Sequence, residues 1–310
     1  MFCRLFGNKL GSIASVLLAI ITVLSPVQSW SSLDINKATM STAYTPLFSY
    51  GVISDPQYVD AIDGTNFAGT SVRRYRHSLS ILDKAGRSFA SHSTSCNIVL
   101  GDVLDGKANA FGIKEKCLQD IFDSTKKHTA SDNWHYVLGN HDYYCFNREE
   151  LYAKLIPSHI MDMCTPQKLY YHFSPQKGYR FIVLDGYEVS EMGAATPSDA
   201  EAALMILEAN NPNIAAKTGG ATWFKDLPEE RRRFVPYNGA LGTGQLQWLR
   251  ETLANAAISQ ERVVIFSHMP VYLPCTHSNS ILWNSEEVLD IIQSSDSVLA
   301  FVSGHDHGGG

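Results

Sequence analysis

Five times along this chain a short apolar run stops at an aspartate, an asparagine or a histidine. The runs are VISDPQ (52–57), IVLGDVLDG (98–106), YVLGNHDYY (136–144), VIFSHMP (264–270) and FVSGHDHGGG (301–310). Short β-branched segments bounded by Gly, Pro or Asp read as strands. Longer stretches with helical spacing lie near 70–90, 111–127, 147–156, 243–257 and 284–294. Strands alternating with helices predict an α/β layered fold with mostly parallel pairing. YYHF (170–173) and YRFIVLD (179–185) are expected as neighbouring strands. The stretch 211–242, rich in Gly, Pro and Asn, is expected as a loop over the site.

In an open α/β sheet the carboxyl ends of the strands converge on one crevice. Side chains two apart on an extended segment point the same way, so Asp55 with Gln57, and His305 with His307, can each reach one centre. Glycines precede Asp102, Asn140 and His305, where a backbone must turn tightly against a bound group. A single Asp or His at a strand end is more often a turn cap or a packed residue. Five such ends in one chain are poorly explained that way.

The 310 residues are 45% hydrophobic, enough for one large domain, or at most two; one is expected over 46–310. A net charge of −6 gives no electrostatic reason to expect nucleic acid as partner, and a monomer is expected. The N-terminus differs in kind. Arg4 and Lys9 precede the apolar run GSIASVLLAIITVL (11–24), and no acidic residue occurs before Asp34. This is the pattern of a secretory signal peptide over residues 1–29, followed by a polar lead-in over 30–45. The run is shorter than the roughly 20 residues of a membrane span, so a signal anchor is the weaker reading and no stable span is expected after its removal. An organelle transit sequence is the other alternative. Of the cysteines after the leader, Cys145 and Cys164 flank a short segment and are the expected disulfide pair.

The ordered set Asp-X-Gln, Gly-Asp-X-X-Asp, Gly-Asn-His-Asp, a lone His and Gly-His-X-His resembles the calcineurin-like metallophosphoesterases from about residue 47 to the end. The resemblance implies a four-layer αββα sandwich and two divalent metals about 4 Å apart, clamping a phosphoryl displacement. Carried over by position, Asp55, Gln57, Asp102 and His307 hold the first metal. Asp102 bridges to the second, which also takes Asn140, His268 and His305. His141 lies beside the metals as acid or transition-state donor, and Asp142 orients His141 or a neighbour.

Gln57 stands where most of that family has His. An amide oxygen is a harder donor than imidazole and shifts preference toward Mn²⁺, with Mg²⁺ possible. The stretch SDPQYVDAIDGTNFAGTSVRRYRHSL (54–79) closely resembles one branch, the manganese-dependent ADP-ribose/CDP-alcohol diphosphatases, as does YNGALGTGQLQWL (237–249). This implies a hydrolase acting on the diphosphate linkage of small nucleotide conjugates. Phe67 is the candidate for base stacking, or else a core anchor. Arg73, with Arg74 and Arg76 nearby, could place a guanidinium near the diphosphate. Cys275 lines the pocket, or packs, or pairs. The alternatives are a secreted phosphomonoesterase or cyclic-nucleotide phosphodiesterase on the same site, and a catalytically weak binding scaffold. The family's fold continues into further strands where this sequence stops, so a truncated, less than fully active domain is expected.

Overall fold

The computed structural model describes residues 18–24, 46–66, 69–216 and 220–308; of Leu18–Leu24, Pro46, Ser131 and Ala221 it describes the backbone alone. Two four-stranded sheets form its centre. In the first, β1 (Leu18–Leu24) runs antiparallel to β2 (Pro46–Ile53), and β3 (Asn97–Val99) and β4 (Trp134–Tyr136) follow in parallel. In the second, β5 (Tyr171–Phe173) is antiparallel to β6 (Tyr179–Val183), then β7 (Arg262–Ser267) and β8 (Val298–Ser303) add in parallel. Apart from the backbone of β1, the expected leader lies outside the described residues.

Alternation along β2 explains why the sheets stack. Phe48 and Tyr50 point to the second sheet, where Tyr50 meets Phe181 edge-on at 4.7 Å and Phe266 at 6.0 Å. Phe181 and Phe266 are fully buried, each contributing about 1.5–3 kcal/mol. The opposite face of the first sheet is covered by α1 (Tyr75–Ser91), which buries Tyr75, Ser78, Leu82, Ala85 and Phe89 at helical spacing, with α2 (Lys114–Lys126) packed beside it. On the far side, α6 (Thr243–Ile258) covers the second sheet and touches α7 (Ser285–Gln293). The result is the expected order of four layers, helix, sheet, sheet, helix. No helix among the described residues is long and apolar enough to cross a membrane.

Three elements complete the frame. Helix α3 (Asn140–Cys145) starts at the end of β4, and α4 (Arg148–Leu155) follows it. Helix α5 (Pro197–Asn210) was not expected; it buries only Ala203 and Leu207, in a satellite cluster with Val189 and Trp283, so its apolar stripe is weak. The expected Cys145–Cys164 disulfide is not formed. Both are buried free thiols, and Cys145 Sγ donates to the Asp105 carbonyl while Cys164 Sγ points to that of Tyr170.

His135 on β4 lies between the sheets, stacked on Phe173 at 3.8 Å with Nδ1 3.3 Å from the Tyr171 hydroxyl. Burial, with His159 nearby, pushes its pKa down to about 3. The unfolded chain therefore takes up a proton near pH 6.5 that the folded chain refuses, and stability falls as pH drops from there toward 3. His135→Phe should remove about 2 kcal/mol of the stability lost between pH 7 and pH 5. Urea unfolding of both proteins at the two pH values checks this; equal acid sensitivity would refute it.

Candidate dimetal centre

Every expected ligand follows the carboxyl end of a parallel strand, so β2, β3, β4, β7 and β8 deliver them to one edge of the two sheets. Backbone conformation marks the same place. Asp55, Gln57, Asp102 and His305 all have positive φ, from 43° to 68°, a region that costs non-glycine residues energy and persists only where surroundings enforce it. Gly139 and Gly304 let the segments close up. A Cβ on Gly139 would lie 2.2 Å from Asp102 Oδ1, and one on Gly304 2.5 Å from Asp55 Oδ2.

Asp102 is the centre of the cluster. Its Oδ2 accepts from Gln57 Nε2 at 2.7 Å, while Oδ1 lies 3.4 Å from His268 Nε2 and accepts from the His141 backbone N–H at 2.9 Å. One carboxylate oxygen thus faces each of two groups. On the Oδ2 side, Gln57 also lies 3.3 Å from His307 Nε2, which in turn sits 3.4 Å from Asp55 Oδ1. A half-turn of the Gln57 amide would present Oε1 at the same position. On the Oδ1 side, His268 Nε2 lies 3.2 Å from Asn140 Oδ1 and 3.0 Å from His305 Nδ1. Asp55 Oδ2 accepts from the Ser54 hydroxyl and from the His305 N–H at 3.2 Å.

These donors fit divalent cations. Ligand atoms of Asp55, Asp102 and His268 all lie within 4.8 Å of one another, and all three residues are buried. Burial by itself would raise both carboxyl pKa values, but neighbouring imidazoles outweigh it and hold Asp55 and Asp102 low. His305 is held well below its usual value by burial and by His268, so it is neutral with a lone pair to give. Two buried carboxylates facing imidazole and amide groups make a site that a cation completes. Asp55, Gln57, Asp102 and His307 could hold one, and Asp102, Asn140, His268 and His305 a second.

Of the two roles expected for Asp142, orienting His141 or orienting a neighbour, the geometry matches the second. Asp142 does not reach the His141 ring; its carboxylate accepts from the N–H groups of Gly139 (2.9 Å), Asp102 (3.0 Å) and Val103 (2.9 Å). It orients neighbours, tying β3's end to the start of α3. The His141 ring is held by Gly106, whose N–H donates to Nδ1 at 3.2 Å, with Asp105 Oδ2 3.6 Å away. Arg73 Nη1 donates to that same Oδ2 at 2.8 Å, placing its guanidinium beside His141. Asp105 uses one of five guanidinium N–H groups.

Phe67 lies outside the described residues; Asn66, its neighbour, closes the turn by accepting from the Thr70 and Ser71 N–H groups. Cys275 is half-buried on the short 3₁₀ turn Leu273–Cys275. That loop is joined to the histidine segment, because Thr276 and His277 both donate to Asp306. Residues the sequence did not single out also converge here. The Tyr187 hydroxyl donates to Asn140 Oδ1 at 3.5 Å, Asn140 Nδ2 donates to the Tyr144 hydroxyl at 3.4 Å, and Asn238 Oδ1 meets His305 Nε2 at 2.7 Å.

A layered αββα fold with two donor groups sharing one carboxylate defines a dimetal phosphoesterase. The chain belongs to the calcineurin-like phosphoesterases, whose family pattern matches residues 48–309. Among curated relatives, the manganese-dependent ADP-ribose/CDP-alcohol diphosphatase of Arabidopsis thaliana is 38% identical, over 87% of this chain and 83% of its own. The human protein of the same name is 36% identical over 89% of this chain and 81% of its own. A crystal structure of a dimetal phosphatase from Danio rerio superposes with a TM-score of 0.78 at 32% identity, covering 86% of this chain and 83% of that one.

Proposed function

We propose that this chain hydrolyses the diphosphate linkage of ADP-ribose and CDP-alcohols with manganese, giving AMP and ribose 5-phosphate from the first, and CMP and a phospho-alcohol from the second. The observation that carries this reading is Gln57, whose amide stands among the donors at 2.7 Å from Asp102, in a chain whose relatives are named for manganese and for those substrates. Two bound divalent cations supply positive charge at phosphoryl oxygens and acidify water.

The rest falls to this chain's own side chains. Because His141 Nδ1 accepts from Gly106, the neutral ring carries its proton on Nε2, where it can donate to an oxygen that gains charge. Burial keeps the pKa of His141 below its ordinary value, against the pull of Asp102 and Asp105, so the ring stays neutral at neutral pH. Arg73, steadied by Asp105, is the candidate for the second phosphate, and Phe67 and Cys275 for the groups beyond it. Residues 1–29 keep the reading of a secretory leader on charge and apolar pattern alone; its removal would take β1 away and bare the edge of β2.

A substrate and metal panel tests the proposal. ADP-ribose and CDP-choline should be turned over better than p-nitrophenyl phosphate or AMP, and better with Mn²⁺ than with Zn²⁺. Equal or better turnover of the monoesters would favour the phosphomonoesterase reading. No turnover with metals bound would favour a binding scaffold.

A further inference from the structure

We propose that Asn238 is a positioning residue that fixes the tautomer of His305 and so prepares the second metal position; this rests on the donor assignment above. Asn238 is fully buried, just before the short strand Gly239–Ala240 that pairs with Val189–Ser190. Its Nδ2 donates to two backbone carbonyls, those of Arg233 and Asn279, each at 2.9 Å. A carbonyl can only accept, so a flipped amide would set oxygen against two oxygens. The amide has one satisfied orientation, and in it Oδ1 faces His305 Nε2 at 2.7 Å.

An acceptor at that place requires a proton on Nε2. The neutral ring then carries its lone pair on Nδ1, the nitrogen 3.0 Å from His268 Nε2. His268 is set the same way from the other side, with Nδ1 2.7 Å from the Leu100 carbonyl, which leaves its lone pair on Nε2. With both rings in these tautomers, two imidazole lone pairs, Asn140 Oδ1 and Asp102 Oδ1 converge on one place, a donor set that suits a cation.

The segment that carries Asn238 is itself pinned. Arg233 Nη1 donates to Ser285 Oγ at 2.8 Å and to the Glu286 carboxylate at 2.6 Å, at the start of α7. The segment 211–242 thus supplies the residue that orients His305.

Two readouts on the full chain test this without substrate. Long-range ¹H–¹⁵N NMR of metal-free protein should show His305 as the single Nε2–H tautomer, and isothermal titration should give two manganese ions bound. Asn238→Leu, which has no acceptor, should lose that single tautomer and bind the second manganese about 10–100-fold more weakly, with the first unchanged. Asn238→Gln keeps an amide that can donate to the carbonyls and an oxygen that can accept from Nε2–H, and should recover at least part of both properties. A folded Asn238→Leu protein with the wild-type tautomer and two wild-type affinities would overturn the proposal, as would equal loss in both variants. Should neither variant fold, an Nδ1–H tautomer in the wild-type chain would overturn it alone, and an Nε2–H tautomer would support it. A wild-type chain that binds no manganese would overturn the donor assignment, while the tautomer would still decide the role of Asn238.

Discussion

Asp102→Asn should abolish measurable turnover and reduce manganese binding from two ions to at most one. Asparagine is chosen because the position has φ 53°, which Asp and Asn tolerate and alanine does not. Asp102 presents one oxygen to the Gln57 side and the other to the His268 side, so an amide cannot serve both with charge. Loss of metal-derived charge stabilisation is worth several kcal/mol, on the order of 10³–10⁵ in rate. Without metal the variant should be no more stable than wild type, because neighbouring imidazoles favour the Asp102 carboxylate despite its burial and the Asp55 charge beside it. Added manganese should raise the melting temperature of wild type by mass action and that of the variant little. Metal analysis with melting curves, each with and without Mn²⁺, reads all of this. A variant that keeps two ions and the wild-type melting shift would remove Asp102 from the bridging position.

What was legible in the sequence follows from locality. A parallel strand that ends in Asp, Asn or His must deliver that residue to the carboxyl edge, so the sequence alone gathers Asp55, Asp102, Asn140, His268 and His305. Helix α1 was legible because its apolar residues recur at helical spacing. Helix α5 has no such stripe, yet its capping signal was present: Thr196 Oγ1 accepts from the Asp199 N–H, and Pro197 opens the helix. Contacts between distant segments left no local trace. Asn238 and His305 are 67 residues apart, and nothing in YNGALG says that the asparagine is turned inward. Asp142 is the aspartate next to His141 in sequence, whereas Asp105 belongs to a different strand end. Only the path of the backbone, which points Gly139, Asp102 and Val103 N–H groups at Asp142, decides that Asp105 faces the ring. Cys145 and Cys164 looked like a pair by spacing, but α4 intervenes and each thiol points at a different carbonyl.

His141→Ala should lower kcat by about 10²–10⁴-fold with both metals retained and KM little changed. The ring touches the cluster through its own backbone, not its side chain, since it is the His141 N–H that donates to Asp102. Truncating the imidazole therefore leaves the donor set intact. What it removes is an Nε2–H group set by the Gly106 contact at Nδ1. That proton could serve a leaving oxygen or a non-bridging oxygen, and the substrate decides between them. The group released from ADP-ribose is a phosphate monoester, whose second pKa is about 6, so it leaves without needing a proton. The donor is then expected to act on charge that builds on the phosphoryl oxygens. On that account the loss with a p-nitrophenyl ester of a nucleoside monophosphate should match the loss with ADP-ribose. A loss confined to substrates with basic leaving groups would make His141 a general acid, and loss of a metal ion from His141→Ala would make it a ligand.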